Sequence, residues 1–301
     1  FAGQLVFVAS DGTTGVEPWI SDGTTLGTTI LKDINTGSTA AGNSNPDWFT
    51  VLNGEVYFRA GNGTDLNGAE LWKSDGTEVG TIQIEDIQVG TGSSNPQHFF
   101  VFNNLLYFQA NDVSSTQLWE TDGTPTTAIK VTNQRTGGFA GPSLPMVATN
   151  GVFYRANDNN GNELSYFNGT TGVELLDIRP GTSAGYLIAN DRRNAFVLGN
   201  SLLFEADDTG TNDELWISDG TTVGTTLLRE INPSGDSNPD YFVLLAGEAY
   251  FSADSGTGAQ LWKTDGTNPG TVLVVEPNVG GDAAITDIFS DGTTLFFGAS
   301  N

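Results

Sequence analysis

The sequence predicts an all-β fold: a six-bladed β-propeller of four-stranded antiparallel blades, with the ring closed by strand exchange between the termini. Three observations predict it. One phrase, Glu70-Leu71-Trp72-Lys73-Ser74-Asp75-Gly76-Thr77, recurs along the chain, with its ring residue at 19, 72, 119, 166, 216 and 262. Spacings of 53, 47, 47, 50 and 46 residues mark an array of supersecondary units. Each unit has short apolar runs separated by Gly, Asp, Asn and Thr, and no stretch keeps a helical period.

The second unit shows the script. Trp48–Leu52 leads to the turn Asn53-Gly54, then Glu55–Ala60, a polar loop at 61–69, Glu70–Ser74, the turn Asp75-Gly76, and Thr81–Ile87. Asn-Gly and Asp-Gly between apolar runs are strong hairpin signals, because these turns need positive φ. Four strands joined by hairpins make one antiparallel meander. The Glu55–Ala60 type recurs at Leu5–Ala9, Leu105–Ala110, Gly151–Ala156, Ser201–Ala206, Glu248–Ala253 and Thr294–Ala299. These strands are apolar at three successive positions, so both faces are expected to be buried. Sheets packed face to face around an axis make a propeller, and the 301 residues are read as a single domain, 1–301.

The Trp48–Leu52 type is placed innermost and recurs at His98–Phe102, Pro145–Thr149, Asn194–Leu198, Tyr241–Leu245 and, weakly, Ile285–Ser290. The first blade begins at its second strand, and Ile285–Ser290 is expected to supply the missing one. Residues 293–299 then repeat a strand the first blade already has. Three readings stay open for them: an added strand, displacement of the N-terminal one, or a chain cut from a longer array. The fourth unit is degenerate, with Tyr166 and Asn168 replacing Trp and Asp.

Composition bounds the partners. Eleven Lys and Arg face 36 Asp and Glu, a net charge of −25. Such a surface repels nucleic acid and anionic membrane and attracts cations. No apolar run reaches the roughly 20 residues of a membrane helix, so membrane insertion is not expected. Cysteine is absent, which removes disulfides and thiolate metal sites. No signal peptide is visible, so a secreted chain would already have lost it.

Glu-Leu-Trp-x-x-Asp-Gly-Thr, followed by Gly80-Thr81 and a strand ending Asp86-Ile87, resembles the ELWxxDGT repeat family of large secreted or surface proteins of bacteria. Ser44-Asn45-Pro46, Ser94-Asn95-Pro96 and Ser237-Asn238-Pro239 agree with it. The resemblance covers nearly the whole chain. It implies an extracellular or cell-surface location and a module without an assigned reaction, so it carries over no catalytic residue.

The residues that bear chemistry are few. The repeated Trp rings are read as packers between blades, with sugar stacking the alternative. Trp48 lies outside the repeat and is the better ligand-binding candidate. The Asp of each Asp-Gly-Thr is read as turn chemistry. Calcium, which takes six to eight oxygens, fits best in the loops 157–163 and 207–214, with Asp158, Asn160, Asp208 and Asp213 as candidate ligands. The single histidine, His98, has no partner of its kind, and no Gly-x-Ser-x-Gly elbow accompanies it. These readings favour a non-enzymatic extracellular module for adhesion or a surface layer, binding an extracellular glycan or protein. The alternatives are a lectin with inter-blade pockets and a polysaccharide-active hydrolase.

Overall fold

In the computed structural model of the protein, residues 1–36, 42–61, 68–90, 92–113, 115–131, 143–157, 162–176, 178, 194–208 and 212–300 are described. Among these residues the chain is all-β and has no helix. The first sheet holds β1 (Leu5–Ala9), β2 (Glu17–Ser21) and β3 (Thr28–Ile30). The second holds β4 (Asp47–Leu52), β5 (Glu55–Gly61), β6 (Ala69–Ser74) and β7 (Ile82–Glu85). The third holds β8 (Gln97–Phe102), β9 (Leu105–Asn111), β10 (Thr116–Thr121) and β11 (Ile129–Lys130). The fourth holds β12 (Ser143–Ala148), β13 (Gly151–Asn157), β14 (Asn162–Phe167) and β15 (Gly172–Leu176). The fifth holds β16 (Ala195–Leu198), β17 (Ser201–Ala206), β18 (Glu214–Ser218) and β19 (Thr226–Arg229). The sixth holds β20 (Asp240–Leu245), β21 (Glu248–Asp254), β22 (Ala259–Thr264) and β23 (Val272–Val275), and β24 (Thr286–Ser290) pairs with β25 (Leu295–Gly298). Strand order follows chain order in every sheet.

The chain divides into two compact units, Phe1–Gln134 with Gly138–Pro145, and Arg135–Gly137 with Met146–Asn301. Within the first, β4 lies beside β8; within the second, β16 lies beside β20 and β20 beside β24. First strands therefore meet first strands, as the innermost placement requires.

In the four-stranded sheets the second strands are buried on both faces, whereas β1 and β25, expected to be buried likewise, leave Leu5, Val8 and Phe296 exposed. Val56, Tyr57 and Phe58, and Leu202, Leu203 and Phe204, are all within the core. The repeated rings pack between sheets: Trp72 joins Ile34, Phe58 and Ala60, and Trp262 joins Leu203, Leu228 and Ile231. Leu52 and Glu55 face each other across a two-residue turn whose Asn53 and Gly54 have φ of 52° and 77°. That left-handed pair is what a tight hairpin with the sheet's own twist demands.

Pairing between the terminal strands is not seen among the described residues: the first sheet has three strands, and β24 pairs with β25 in a local hairpin. Asp291 Oδ1 pins it by accepting the N–H groups of Thr293 and Thr294 at 2.8 and 2.7 Å. The outer strands are also shorter than expected. β7 ends at Glu85 because its register against β6 shifts between Leu71 and Trp72, and the backbone that follows bonds a side chain instead.

That side chain is the glutamate of the repeat. Glu17, Glu70 and Glu214 are buried carboxylates. Glu70 accepts the N–H of Ile87 at 3.2 Å, the N–H of Ser94 at 2.8 Å and the Ser94 hydroxyl at 2.5 Å. Glu17 does the same with Ile34 and Ser44. The serine carbonyl then accepts from the next sheet: Gly61 N–H to Ser44, Asn111 to Ser94, and Asp254 to Ser237, at 2.9, 2.7 and 2.8 Å. One carboxylate thus fixes the crossing from sheet to sheet.

Candidate functional site

Each four-stranded sheet has two ends. One carries the first hairpin turn and the Asp-Gly-Thr turn. The other carries the loop between second and third strands, the crossing to the next sheet, and the start of the first strand.

The turn end is chemically closed. Asp75 Oδ1 accepts the Thr77 N–H at 2.9 Å and its hydroxyl at 2.7 Å, and Thr77 Oγ1 accepts the Gly80 N–H at 2.9 Å. Thr81 Oγ1 donates to the Thr77 carbonyl at 2.7 Å and lies 2.7 Å from Ser74 Oγ, which accepts the Gly76 N–H at 3.0 Å. The same network is built at Asp219 and Asp265. A Cβ at Gly80 would lie 2.0 Å from Asp75 Oδ1, which is why glycine stands there. The threonine hydrogen bonds hold the Asp75 carboxyl below its ordinary range, the side-chain bond contributing most. The most repeated phrase in the chain is absorbed by packing and turn chemistry.

The loop end is different. The first strands carry a β-bulge at their start, seen as register breaks between Asp47 and Thr50, Gln97 and Phe100, and Asp240 and Val243, with the same break in β24 between Thr286 and Phe289. One residue of each bulge has left-handed backbone: Trp48 at φ 58°, His98 at 57°, Tyr241 at 57° and Asp287 at 52°, and Leu144 in β12 has 53°. Bulky side chains rarely adopt this region, and such strain clusters at sites that use it. Equivalent positions therefore hold one backbone shape and present five chemistries.

In the first unit two of these residues meet. The Trp48 and His98 rings lie 4.9 Å apart between centroids, with planes tilted 58°. Trp48 is 37% exposed. Its neighbour Phe49 turns the other way and stacks on Phe58 at 5.4 Å, anchoring the bulge. Asp47 and Arg59 face each other in the ladder and form a two-pronged ion pair, with Arg59 Nε donating to Asp47 Oδ1 at 2.7 Å.

In the second unit the position of Arg59 is taken by Glu205. Burial raises its carboxyl to about 7, the fields of Asp213, Asp240 and Asp236 push the same way, and the Asn194 amide, which donates to it, opposes them. Asp236 Oδ1 accepts the Asp213 N–H at 3.1 Å, so the four carboxyls share one end of the fifth and sixth sheets.

The sequence candidates land as follows. Trp48 lies at the loop end, 37% exposed. Asp208 is exposed, beside a cavity of about 250 Å³ lined by Asp208, Asn212, Glu214, Trp216, Leu227 and Glu230. Asp213 stands apart from it, with Glu205. Asp158 and Asn160 lie outside the described residues. Among the described residues no three His, Asp or Glu side chains stand together as a metal site, so the calcium expectation finds no ligand set there. The sequence reading missed Glu205, His98 as the partner of Trp48, and the Glu70–Ser94 joint. The joint had a signal: Glu17, Glu70 and Glu214 each precede a Ser-Asn-Pro crossing, whereas Gln260 precedes Ala283-Ala284-Ile285.

No family model matches the chain, and no curated protein does. Solved structures do. The chain is similar to puromycin hydrolase at 13% identity and TM-score 0.50, covering 98% of this chain and 47% of that one. It is similar to oligopeptidase B from Leishmania major at 11% identity and TM-score 0.50, covering 90% and 40%. The β-propeller domain of the Trilobed protease from Pyrococcus furiosus matches at 10% identity and TM-score 0.45, covering 91% and 78%. The chain thus spans about half the length of the puromycin hydrolase it matches. These matches show an all-β fold with β-propeller neighbours. They also correct the expectation of a chain set apart from enzymes: puromycin hydrolase and oligopeptidase B, matched at TM-score 0.50, are hydrolytic enzymes, so the fold does not exclude one.

Proposed function

We propose that the chain is a β-propeller binding module that presents its ligand contacts at the loop ends of its sheets. One observation carries this reading: the left-handed residues Trp48, His98, Leu144, Tyr241 and Asp287, each near the start of a first strand, differ in chemistry on one strained backbone. A bulge needed only for shape would be served by glycine or asparagine without strain. The partner is an extracellular glycan or protein, and the location is the cell exterior or surface, in keeping with the acidic surface and the ELWxxDGT-type repeat. Such a module is equally suited to stand beside a catalytic domain, as recognition on a rigid scaffold serves both settings.

Six blades form the ring, and β24 supplies the strand that the first sheet lacks. Because the chain has no cysteine, one cysteine in β1 and one in β24 test this directly. Oxidative cross-linking within the monomer supports closure, and its absence under conditions that cross-link β4 to β5 overturns it.

The binding reading is tested on a printed glycan array and a panel of extracellular matrix proteins. Binding should be lost in the Trp48→Ala, Tyr241→Ala double variant and kept in Thr77→Ala, which alters the turn end. Loss in Thr77→Ala with retention in the double variant would sink it, as would no binding at all.

A further inference from the structure

The pair Trp48–His98 supports a narrower statement, which rests on the binding reading above. Of the six tryptophans, Trp48 alone is placed among the exposed large apolar side chains; Trp72, Trp216 and Trp262 are at most 7% exposed. At 37% exposure the Trp48 indole leaves more of its face open than the other tryptophans do, and its backbone bears the strain of φ 58°. Its ring is nevertheless held, at 4.9 Å from the only histidine of the chain. The two rings come from β4 and β8, neighbouring first strands, so the pair bridges two sheets.

The shape and charge of this place select a ligand class. Planes tilted at 58° form an open angle in which a flat guest lies on one ring and touches the edge of the other. Asp47 directly precedes Trp48, and its side chain is 42% exposed while Arg59 is 23% exposed. A carboxylate has about four lone-pair sites, and a two-pronged guanidinium engages two of them. The free edges of both groups are planar arrays of acceptors and donors, matched to adjacent hydroxyls. The pair is also neutral as a whole. A cationic ligand would find the Asp47 charge already spent on Arg59, and an anionic one would meet a chain of net charge −25.

We infer that Trp48, His98, Asp47 and Arg59 form a subsite for an uncharged pyranose. Its C–H face stacks on the Trp48 indole and its vicinal hydroxyls bond the outer edges of the Asp47–Arg59 pair.

The test uses the full chain, a printed array of neutral and amine-bearing glycans, and a lysine-rich peptide. The tightest neutral glycan is then titrated by calorimetry against Trp48→Asn, Trp48→Phe and Tyr241→Ala. Asparagine keeps the left-handed backbone without the ring, and phenylalanine keeps a stacking face. The expected result is a neutral glycan whose affinity falls at least ~10-fold in Trp48→Asn, about 1.4 kcal/mol, and stays within ~3-fold in Trp48→Phe. Unchanged affinity in Trp48→Asn overturns the subsite, as does a lysine peptide whose binding requires Trp48. If affinity instead falls only in Tyr241→Ala, the subsite is wrong while the loop-end reading stands. An array with no glycan bound overturns the subsite, and binding to matrix proteins then decides the broader reading separately.

Discussion

Glu70 and Ser94, 24 residues apart, form the joint between the second and third sheets: the buried carboxylate takes the serine's N–H and hydroxyl while the serine carbonyl takes the N–H of Asn111. Removing the carboxylate strands three donors in the core. Glu70→Ala is expected to cost about 3 kcal/mol, the penalty of buried unpaired groups. Glu70→Gln keeps an acceptor and should cost about 1 kcal/mol. Urea unfolding of the two variants checks the ranking, and equal losses would show that packing rather than hydrogen bonding holds the joint.

The turn end makes a second prediction. At Gly80 the methyl of alanine would displace the Asp75 carboxylate, which is otherwise tied to Thr77. Gly80→Ala should therefore destabilise by about 2 kcal/mol, whereas Asp75→Ala, Gly80→Ala should cost no more than Asp75→Ala alone. A thermodynamic cycle on the four proteins measures the coupling, and additive losses would contradict the geometry.

Glu205 gives the chain a pH signature. Its folded-state carboxyl sits near 7, above the ordinary 4.5 of an unfolded chain, because burial and Asp213, Asp240 and Asp236 disfavour the charge. The folded state thus holds this proton more tightly. The stability it contributes is full below 4.5 and is lost as pH rises through about 7. Glu17, Glu70 and Glu214 lean the same way through burial. Glu205→Gln should match the parent near pH 4 and exceed it in melting temperature at pH 8. A variant that melts lower at pH 8 would place the carboxylate among stabilising partners instead.

Much of this was legible in the chain. The repeat spacing gave the sheets, the Asn-Gly and Asp-Gly pairs gave the turns, and the Val-Tyr-Phe runs gave strands buried on both faces within the four-stranded sheets but not at β1 and β25. The role of residues 293–299, which the sequence leaves open, is set by the Asp291-Gly292 turn, across which β25 pairs with β24. The bulge escaped notice for a different reason. Left-handed backbone is usually announced by Gly or Asn, and Trp48, His98, Leu144, Tyr241 and Asp287 announce nothing of the kind. Glu205 was hidden because its pKa depends on Asp213, Asp236 and Asp240, which only the fold brings close to it.

Adjacent residues of one bulge should respond oppositely to substitution. Phe49 stacks on Phe58 and packs with Ile34 and Trp72, so Phe49→Ala is expected to cost about 2 kcal/mol. Trp48 has its ring largely outside that cluster and its backbone at φ 58°. Asparagine tolerates this conformation better than tryptophan does. Trp48→Asn should therefore leave stability unchanged or raise it by about 0.5 kcal/mol, while it removes the stacking surface. Chemical denaturation of both variants measures the pair. If Trp48→Asn proves as costly as Phe49→Ala, the indole belongs to the core and the strain at the bulge serves the fold, not a ligand.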